Sequence, residues 1–386
     1  MALIESRGGT VAALGVIEIL AWGSTFYLPA ILAAPLAADT GWPPGAITGG
    51  LSAGLLVSGL AARRVGRTIQ EFGGRNVLSA GVALIALGLV TMGLAPALPV
   101  YFAAWVILGF GMAASLYEAA FSTLGRLYGH DARRAITVLT LWAGFASTIC
   151  WPLSAFLVET FGWRATCFAY AALHLALTLP LCRALPSAPP VPASPVQAPR
   201  TGGPLDLRFW CIAVAGAALT ALFSVMSVHL VPILTTTGLT LAAAVALGAL
   251  IGPAQVGARM LELMGGGRHH PVWTMVAASA LVTTGLVGLR LGLPAAAALV
   301  AYGAGTGLWS IARGTLPLAV FGPDDYAPMM GRIALPVLAV SAAAPLAGTA
   351  LIAWLGPQGT LAALALLAIV PCTASLALAA RLARDR

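Results

Sequence analysis

The sequence predicts an all-α integral membrane protein, with twelve transmembrane helices arranged in two pseudo-symmetric six-helix bundles. Three observations predict it. The 386 residues are 60% hydrophobic and only 8% charged, with a mean hydropathy of +0.94, whereas ordinary soluble domains carry roughly a quarter charged residues. A bilayer crossing needs about 20 apolar residues, and the apolar fraction supplies enough for twelve. A proline-rich stretch divides the chain near its middle, and the two sides echo one another.

Cutting at charges and Gly/Pro clusters places spans 1 to 6 at about 10–36, 44–62, 76–95, 99–125, 135–158 and 164–182. Spans 7 to 12 follow at about 208–235, 238–263, 271–290, 294–320, 328–353 and 358–381. The first run is too long for a signal-peptide core and has many successors, so it is expected to be retained as a helix. Between spans 6 and 7, ALPSAPPVPASPVQAPRTGGPLD holds seven prolines and two glycines, a composition that rules out a helix and favours a solvated tether. The expected organisation is therefore an N-terminal bundle over 1–183, a cytoplasmic linker over 184–207 and a C-terminal bundle over 208–386.

All 20 basic residues are Arg, and the formal net charge is +8. These arginines sit in short connections rather than on one patch, which speaks for membrane topology and against a nucleic-acid partner. With the N-terminus inside, Arg63, Arg64, Arg67 and Arg75 fall between spans 2 and 3, and Arg126, Arg133 and Arg134 between spans 4 and 5. Arg268 falls between spans 8 and 9, and Arg381, Arg384 and Arg386 at the C-terminus. Only Arg164 and Arg290 come out on the far side, so both termini are expected to be cytoplasmic. The five cysteines are scattered singly without CxxC spacing and read as small buried hydrophobes, with no metal centre or cofactor expected.

The halves repeat. The segment after span 2 runs from Gly66 through Gln70, Glu71, Gly73 and Gly74 to Arg75; the segment after span 8 runs from Gly257 through Glu262 and Gly265 to Arg268. Gly109 and Gly111 of span 4 match Gly303 and Gly305 of span 10, and Pro152 matches Pro345. Parallel six-helix repeats joined by a tether are a transporter architecture.

On these residues the chain resembles the major facilitator superfamily over nearly its whole length. That family's signature between spans 2 and 3 is G-x-x-x-D-R-x-G-R-R; Gly66, Gly73 and Arg75 match it, with Gln70 and Glu71 where the Asp-Arg pair would stand. The stretches Tyr117-Glu118-Ala-Ala-Phe, Gly162-Trp163-Arg164, Val228-His229-Leu-Val-Pro232 and Ile311-Ala-Arg313-Gly-Thr-Leu-Pro resemble bacterial facilitators near the monocarboxylate-type branch. Two features depart from proton-coupled exporters: span 4 has no basic residue between Val100 and Gly125, and span 5 has Trp151-Pro152 where Gly-Pro is usual.

The resemblance implies that spans 1, 4, 7 and 10 line a central cavity, and each carries an ionisable group: Glu18, Glu118, His229 and Arg313. A charge at the bilayer centre costs at least ~2.5 kcal/mol on insertion scales, so each should meet water or a partner. Glu18 and Glu118 lie about eight residues from their span ends, ~12 Å deep at 1.5 Å per residue. Two carboxylates at one depth repel, which favours one of them holding a proton. Arg313 suits either an anionic substrate, as an always-charged donor fork, or a pairing with Glu118 on closure. His229 has a protonation range suited to pH sensing, while His174 and the His269-His270 pair read as structural or solvated.

Helical spacing puts Glu18, Trp22 and Thr25 on one face, and Gly111, Ser115, Glu118 and Ser122 on another. Tyr27, Tyr117, Trp142, Trp151 and Trp309 are candidate aromatic walls, each as readily accounted for by packing. The expected function is secondary active transport of a small organic solute by alternating access, coupled to protons through Glu18 and Glu118, by a monomer that is not an enzyme. A drug or metabolite efflux pump of the same fold is the alternative within transport. A membrane enzyme acting on lipid-linked substrates is the alternative in another class; it is opposed by the short loops, as a receptor or scaffold is by the buried charges.

Overall fold

The computed structural model describes residues 6–128, 132–187, 206–265 and 269–384, the side chains at 63, 70, 133, 134, 137, 322–328, 330, 331, 334 and 335 excepted. Among the described residues there is no strand. The chain divides into two compact units, Met1–Val196 and Gln197–Arg386. The expected linker at 184–207 lies almost wholly outside the described residues, which resume just before the helix that begins at Leu207.

In the first unit α1 (Arg7–Ser24) starts at Ser6, whose Oγ accepts the Gly9 N–H at 3.0 Å and so satisfies one of the donors a helix start leaves open. It breaks at Thr25, where φ and ψ are −120° and −80°, and Pro29 opens α2 (Pro29–Thr40). Together they form span 1. Next come α3 (Pro44–Phe72), α4 (Gly74–Gly93), α5 (Leu98–Ser115) and α6 (Tyr117–Tyr128). Span 5 is α7 (Ala132–Ala143) and the start of α8 (Ala146–Leu173); span 6 is the remainder of α8, a π turn at His174–Thr178, and α9 (Leu179–Ala184).

The second unit holds α10 (Leu207–Thr235), α11 (Leu241–Ala249), α12 (Ile251–Met264), α13 (Pro271–Arg290), α14 (Ala295–Leu367) and α15 (Ile369–Arg384). Ten helical stretches among the described residues are long and apolar enough to cross a membrane. Two of them, Val138–Ala184 and Pro336–Arg384, run 47 and 49 residues, about twice what a ~30 Å hydrocarbon core requires. Each is interrupted by a glycine with positive φ, Gly162 at 81° and Gly356 at 67°, a backbone region that side chains oppose. Counting each as two crossings accounts for the twelve expected spans.

Two expected loops are helices. The signature segment after span 2 continues α3 to Phe72 and turns only at Gly73, whose N–H bonds Ile69 O at 2.9 Å. The segment after span 8 belongs to α12 as far as Met264. Charged residues ended the apolar runs in the sequence, but a helix needs no apolar side chains once its backbone bonds are made, so it runs on past the hydrophobic stretch. Ile69 is fully buried and joins a core with Leu14, Ile17, Leu78, Val82, Leu124 and Leu139.

The glycines of spans 4 and 10 make equivalent contacts within their own units. A Cβ on Gly109 would stand 2.5 Å from Gly54 O on α3, and one on Gly303 2.8 Å from Ile251 O on α12. A Cβ on Gly111 would meet Ile85 N on α4 at 2.9 Å, and one on Gly305 would meet Val282 N on α13 at 2.7 Å. In each unit a G-x-G pair thus lets one helix approach two neighbours at backbone distance, as small residues do in membrane bundles.

Candidate functional site

The ionisable side chains inside the spans occupy contrasting environments. Glu18 is fully buried. Its Oε2 accepts the Trp22 indole N–H at 2.9 Å, one helical turn on, while Oε1 has no hydrogen-bond partner among the described residues. Cys182 and Glu118 lie within its electrostatic reach. Glu118 is itself exposed, in the first turn of α6.

The separation of the two carboxylates follows from a break that the sequence did not reveal. Leu116 is extended (ψ −172°) between α5 and α6, so the expected common face of Gly111, Ser115, Glu118 and Ser122 does not form. Gly111 and Ser115 are buried on α5, whereas Glu118 turns outward on a separate helix. Thr25 likewise leaves the expected face of Glu18 and Trp22, because α1 ends at Ser24; its hydroxyl returns to Ala21 O at 2.6 Å.

Rings surround this region. Trp22 lies 5.4 Å from Tyr117, centroid to centroid, tilted 56°, and Tyr117 stacks on Phe121 at 5.0 Å. Tyr27 is buried among Trp22, Phe26 and Trp151, and its carbonyl accepts the Trp151 indole N–H at 3.1 Å. These contacts make Tyr27 and Trp151 a clasp on the break in span 1. Trp142 is 37% exposed and lies across Gly15, where a Cβ would stand 2.5 Å from its Cγ. Trp309 packs on Gly216.

His174, expected to be structural or solvated, is fully buried in the π turn. Its Nε2 is 2.7 Å from Ser24 Oγ and its Nδ1 2.9 Å from Thr178 Oγ1, which ties span 6 to the end of α1. Single π turns inside α-helices are frequently found at functional sites. Sequence spacing offered no sign of it.

In the second unit His229 is 6% exposed, and its Nε2 lies 3.1 Å from Pro345 O. A carbonyl only accepts, so Nε2 carries the proton. Gly348 makes room for the ring; a Cβ there would be 2.6 Å from Cδ2. Arg313 is exposed on α14. The sequence missed Arg259, which is 4% exposed on α12 with Nε donating to Gly307 O at 3.4 Å. One turn earlier Gln255 donates to Thr306 Oγ1 at 3.1 Å. Gln255 and Arg259, at i and i+4 on one helix, both face α14. That spacing was visible inside the expected span 8 (238–263), but Arg259 was not read as a candidate there.

The remaining candidates sit beyond the spans. Gly66 has open space around it, Gly73 adopts φ 83°, and Glu71 and Arg75 are half-buried. The His269-His270 pair is not simply solvated: His269 Nε2 contacts Glu262 Oε1 at 3.1 Å and Thr274 Oγ1 at 3.2 Å, and His270 Nδ1 caps α13 by accepting the Val272 N–H at 3.2 Å. All five cysteines are free thiols, four of them buried.

Comparison with known proteins places this arrangement. A human protein, monocarboxylate transporter 11, is 31% identical over 308 residues, which is 73% of this chain and 62% of that protein. The chain thus spans about three fifths of that relative's length. Its mouse counterpart is 31% identical over 167 residues, 43% of this chain and 35% of that protein. The structure resembles the nucleoside transporter NupG with a TM-score of 0.76 at 13% identity, covering 97% of this chain and 100% of that one. It also resembles an inward-facing, occupied bacterial homologue of the human lysosomal transporter Spinster, with a TM-score of 0.72 at 15% identity and 98% of each chain covered. The sequence pattern of the Major Facilitator Superfamily matches residues 14–312, and the chain accordingly belongs to that superfamily.

Proposed function

We propose that the protein is a secondary transporter that moves a small organic carboxylate by alternating access, with proton coupling through Glu18 and Glu118. The observation that carries this reading is the sorting of ionisable groups inside the spans. Away from the span ends, carboxyl groups occupy spans 1 and 4 of the first unit and guanidiniums occupy spans 8 and 10 of the second, with Glu262 at the very end of span 8. A charge inside a span costs at least ~2.5 kcal/mol, and membrane proteins retain such groups where a substrate or ion passes. Arg259 and Arg313 stay charged at any physiological pH and offer the planar donor fork that suits a carboxylate. The human relative's name, monocarboxylate transporter 11, points the same way.

Glu18 and Glu118 supply two carboxyls within electrostatic reach of each other, one enclosed and one exposed, so a proton taken up at the outer group has a second acceptor behind it. Arginine-rich connections on one side of the membrane orient both termini toward the cytoplasm of a bacterial inner membrane, and the six-helix units suit a functional monomer. Counterflow tests the reading. Proteoliposomes preloaded with unlabelled lactate, pyruvate or other short carboxylates should accumulate the labelled compound transiently, and failure with the whole carboxylate panel would refute it.

A further inference from the structure

We infer that one exposed face of α3 in the first unit, formed by Leu56, Leu60, Arg64 and Arg67, holds an anionic phospholipid. An acyl chain lies along the two leucines, and the phosphate sits between the two guanidiniums. The inference goes beyond the transport reading and does not depend on which solute is carried. These four residues follow one another at helical spacings of i+4, i+4 and i+3, so they share one side of α3. Val65 and Ile69 take the opposite side, packed into the core with Leu14 and Leu78, which fixes the direction in which the stripe points.

Depth and polarity change together along this stripe. Leu56 and Leu60 are 53% and 73% exposed, large apolar side chains left uncovered as at a lipid boundary. Arg64 and Arg67 are exposed as well. From the start of α3 at Pro44, Leu60 stands ~24 Å along the helix, Arg64 ~30 Å and Arg67 ~35 Å. A hydrocarbon core of ~30 Å therefore ends where the stripe turns from leucine to arginine, at the level of the lipid phosphates. Neither arginine has an ion-pair partner among the described residues. Glu71, the next residue on this face, is half-buried one turn beyond Arg67 and pairs with neither of them. Side chains three apart on a helix have Cβ atoms ~5–6 Å apart, so both donor forks can reach one phosphate. A zwitterionic choline lipid brings its own cation to that phosphate; a lipid of net negative charge leaves it to the arginines.

The matching end of the second unit lacks such a face. With Gly257 standing for Gly66 and Glu262 for Glu71, the places of Arg64 and Arg67 fall to Gln255 and Ala258, both of them buried. The large side chains exposed there are Met260, Leu261 and Met264, which offer a lipid no cation.

Native mass spectrometry of the purified full-length protein tests this with phosphatidylglycerol and phosphatidylcholine of identical acyl chains. Phosphatidylglycerol should bind roughly tenfold more tightly or better. Excess glycerol 1-phosphate, which carries the phosphate without the chains, should not displace it. Arg64→Gln/Arg67→Gln should weaken the tightest phosphatidylglycerol binding roughly tenfold or more. Arg290→Gln/Arg384→Gln removes the same charge at two other exposed positions and should leave that binding intact. Equal affinity for the two lipids, displacement by glycerol 1-phosphate, an unchanged affinity in Arg64→Gln/Arg67→Gln, or an equal loss in both double variants would overturn the inference. The lipid comparison and the displacement use the unaltered protein, so they decide the matter even where a variant fails to fold.

Discussion

The close helix approaches give a prediction whose size follows from the coordinates. Gly305 holds α14 against α13 so tightly that a Cβ would lie 2.7 Å from both Ala278 O and Val282 N. An ordinary contact needs about 3.4 Å, and backbone atoms cannot swing aside, so Gly305→Ala forces the two helices apart by about 0.7 Å. Overpacking of this kind costs ~1–3 kcal/mol. At ~2–4 °C per kcal/mol for a unit of this size, the apparent melting temperature should fall by ~2–12 °C. Gly257→Ala is the matched control, since a Cβ there meets nothing within 4 Å and alanine favours a helix over glycine by ~1 kcal/mol. Differential scanning fluorimetry in one detergent should rank Gly257→Ala at or above the parent and Gly305→Ala clearly below it. Equal melting of the two variants would show that the helices are not in backbone contact there, and the equivalent contact at Gly111 would be doubtful with it.

Other perturbations probe the transport reading and the turns. Glu18→Gln and Glu118→Gln, assayed for solute uptake driven by an imposed proton gradient, should lose coupling in at least one case; full coupling in both discards the carboxyl pair as proton site. Arg313→Lys keeps the charge but not the fork, and should weaken carboxylate affinity in counterflow by about tenfold; retained affinity would rule out bidentate recognition at that residue. Gly162→Ala places a Cβ at φ 81° and ψ 168°, a region that costs other residues ~1–3 kcal/mol, and should lower the melting temperature, whereas Gly66→Ala, with nothing near it, should not.

Much of the architecture was written in the apolar runs. Span positions came within a few residues because lipid demands near-uninterrupted hydrophobic stretches, and the glycine echoes between halves matched because backbone contact tolerates no substitute. Two kinds of information were hidden. Where a helix stops is decided by backbone bonding and not by polarity, so α3 outran its apolar window by ten residues, and Arg259, though inside the expected span 8, gave no sign of being buried against Gly307. Which way a side chain faces depends on local breaks: the extended Leu116 and the end of α1 at Ser24 turned Glu118 outward and left Glu18 enclosed, though both lie at one depth in the sequence. The His174 network depends on a π turn, which shifts the helical register by one residue and has no compositional mark.

The continuation of α3 through Phe72 has a mechanical corollary. Its 29 residues extend ~43 Å, against a hydrocarbon core of ~30 Å, and because Ile69 near its end is locked into the core with Leu14, Leu78 and Leu124, the whole length of the helix moves as one piece with the first unit. A spin label at exposed Thr68 would therefore report the working strokes of the first unit from outside the bilayer, at a place where no substrate has to pass.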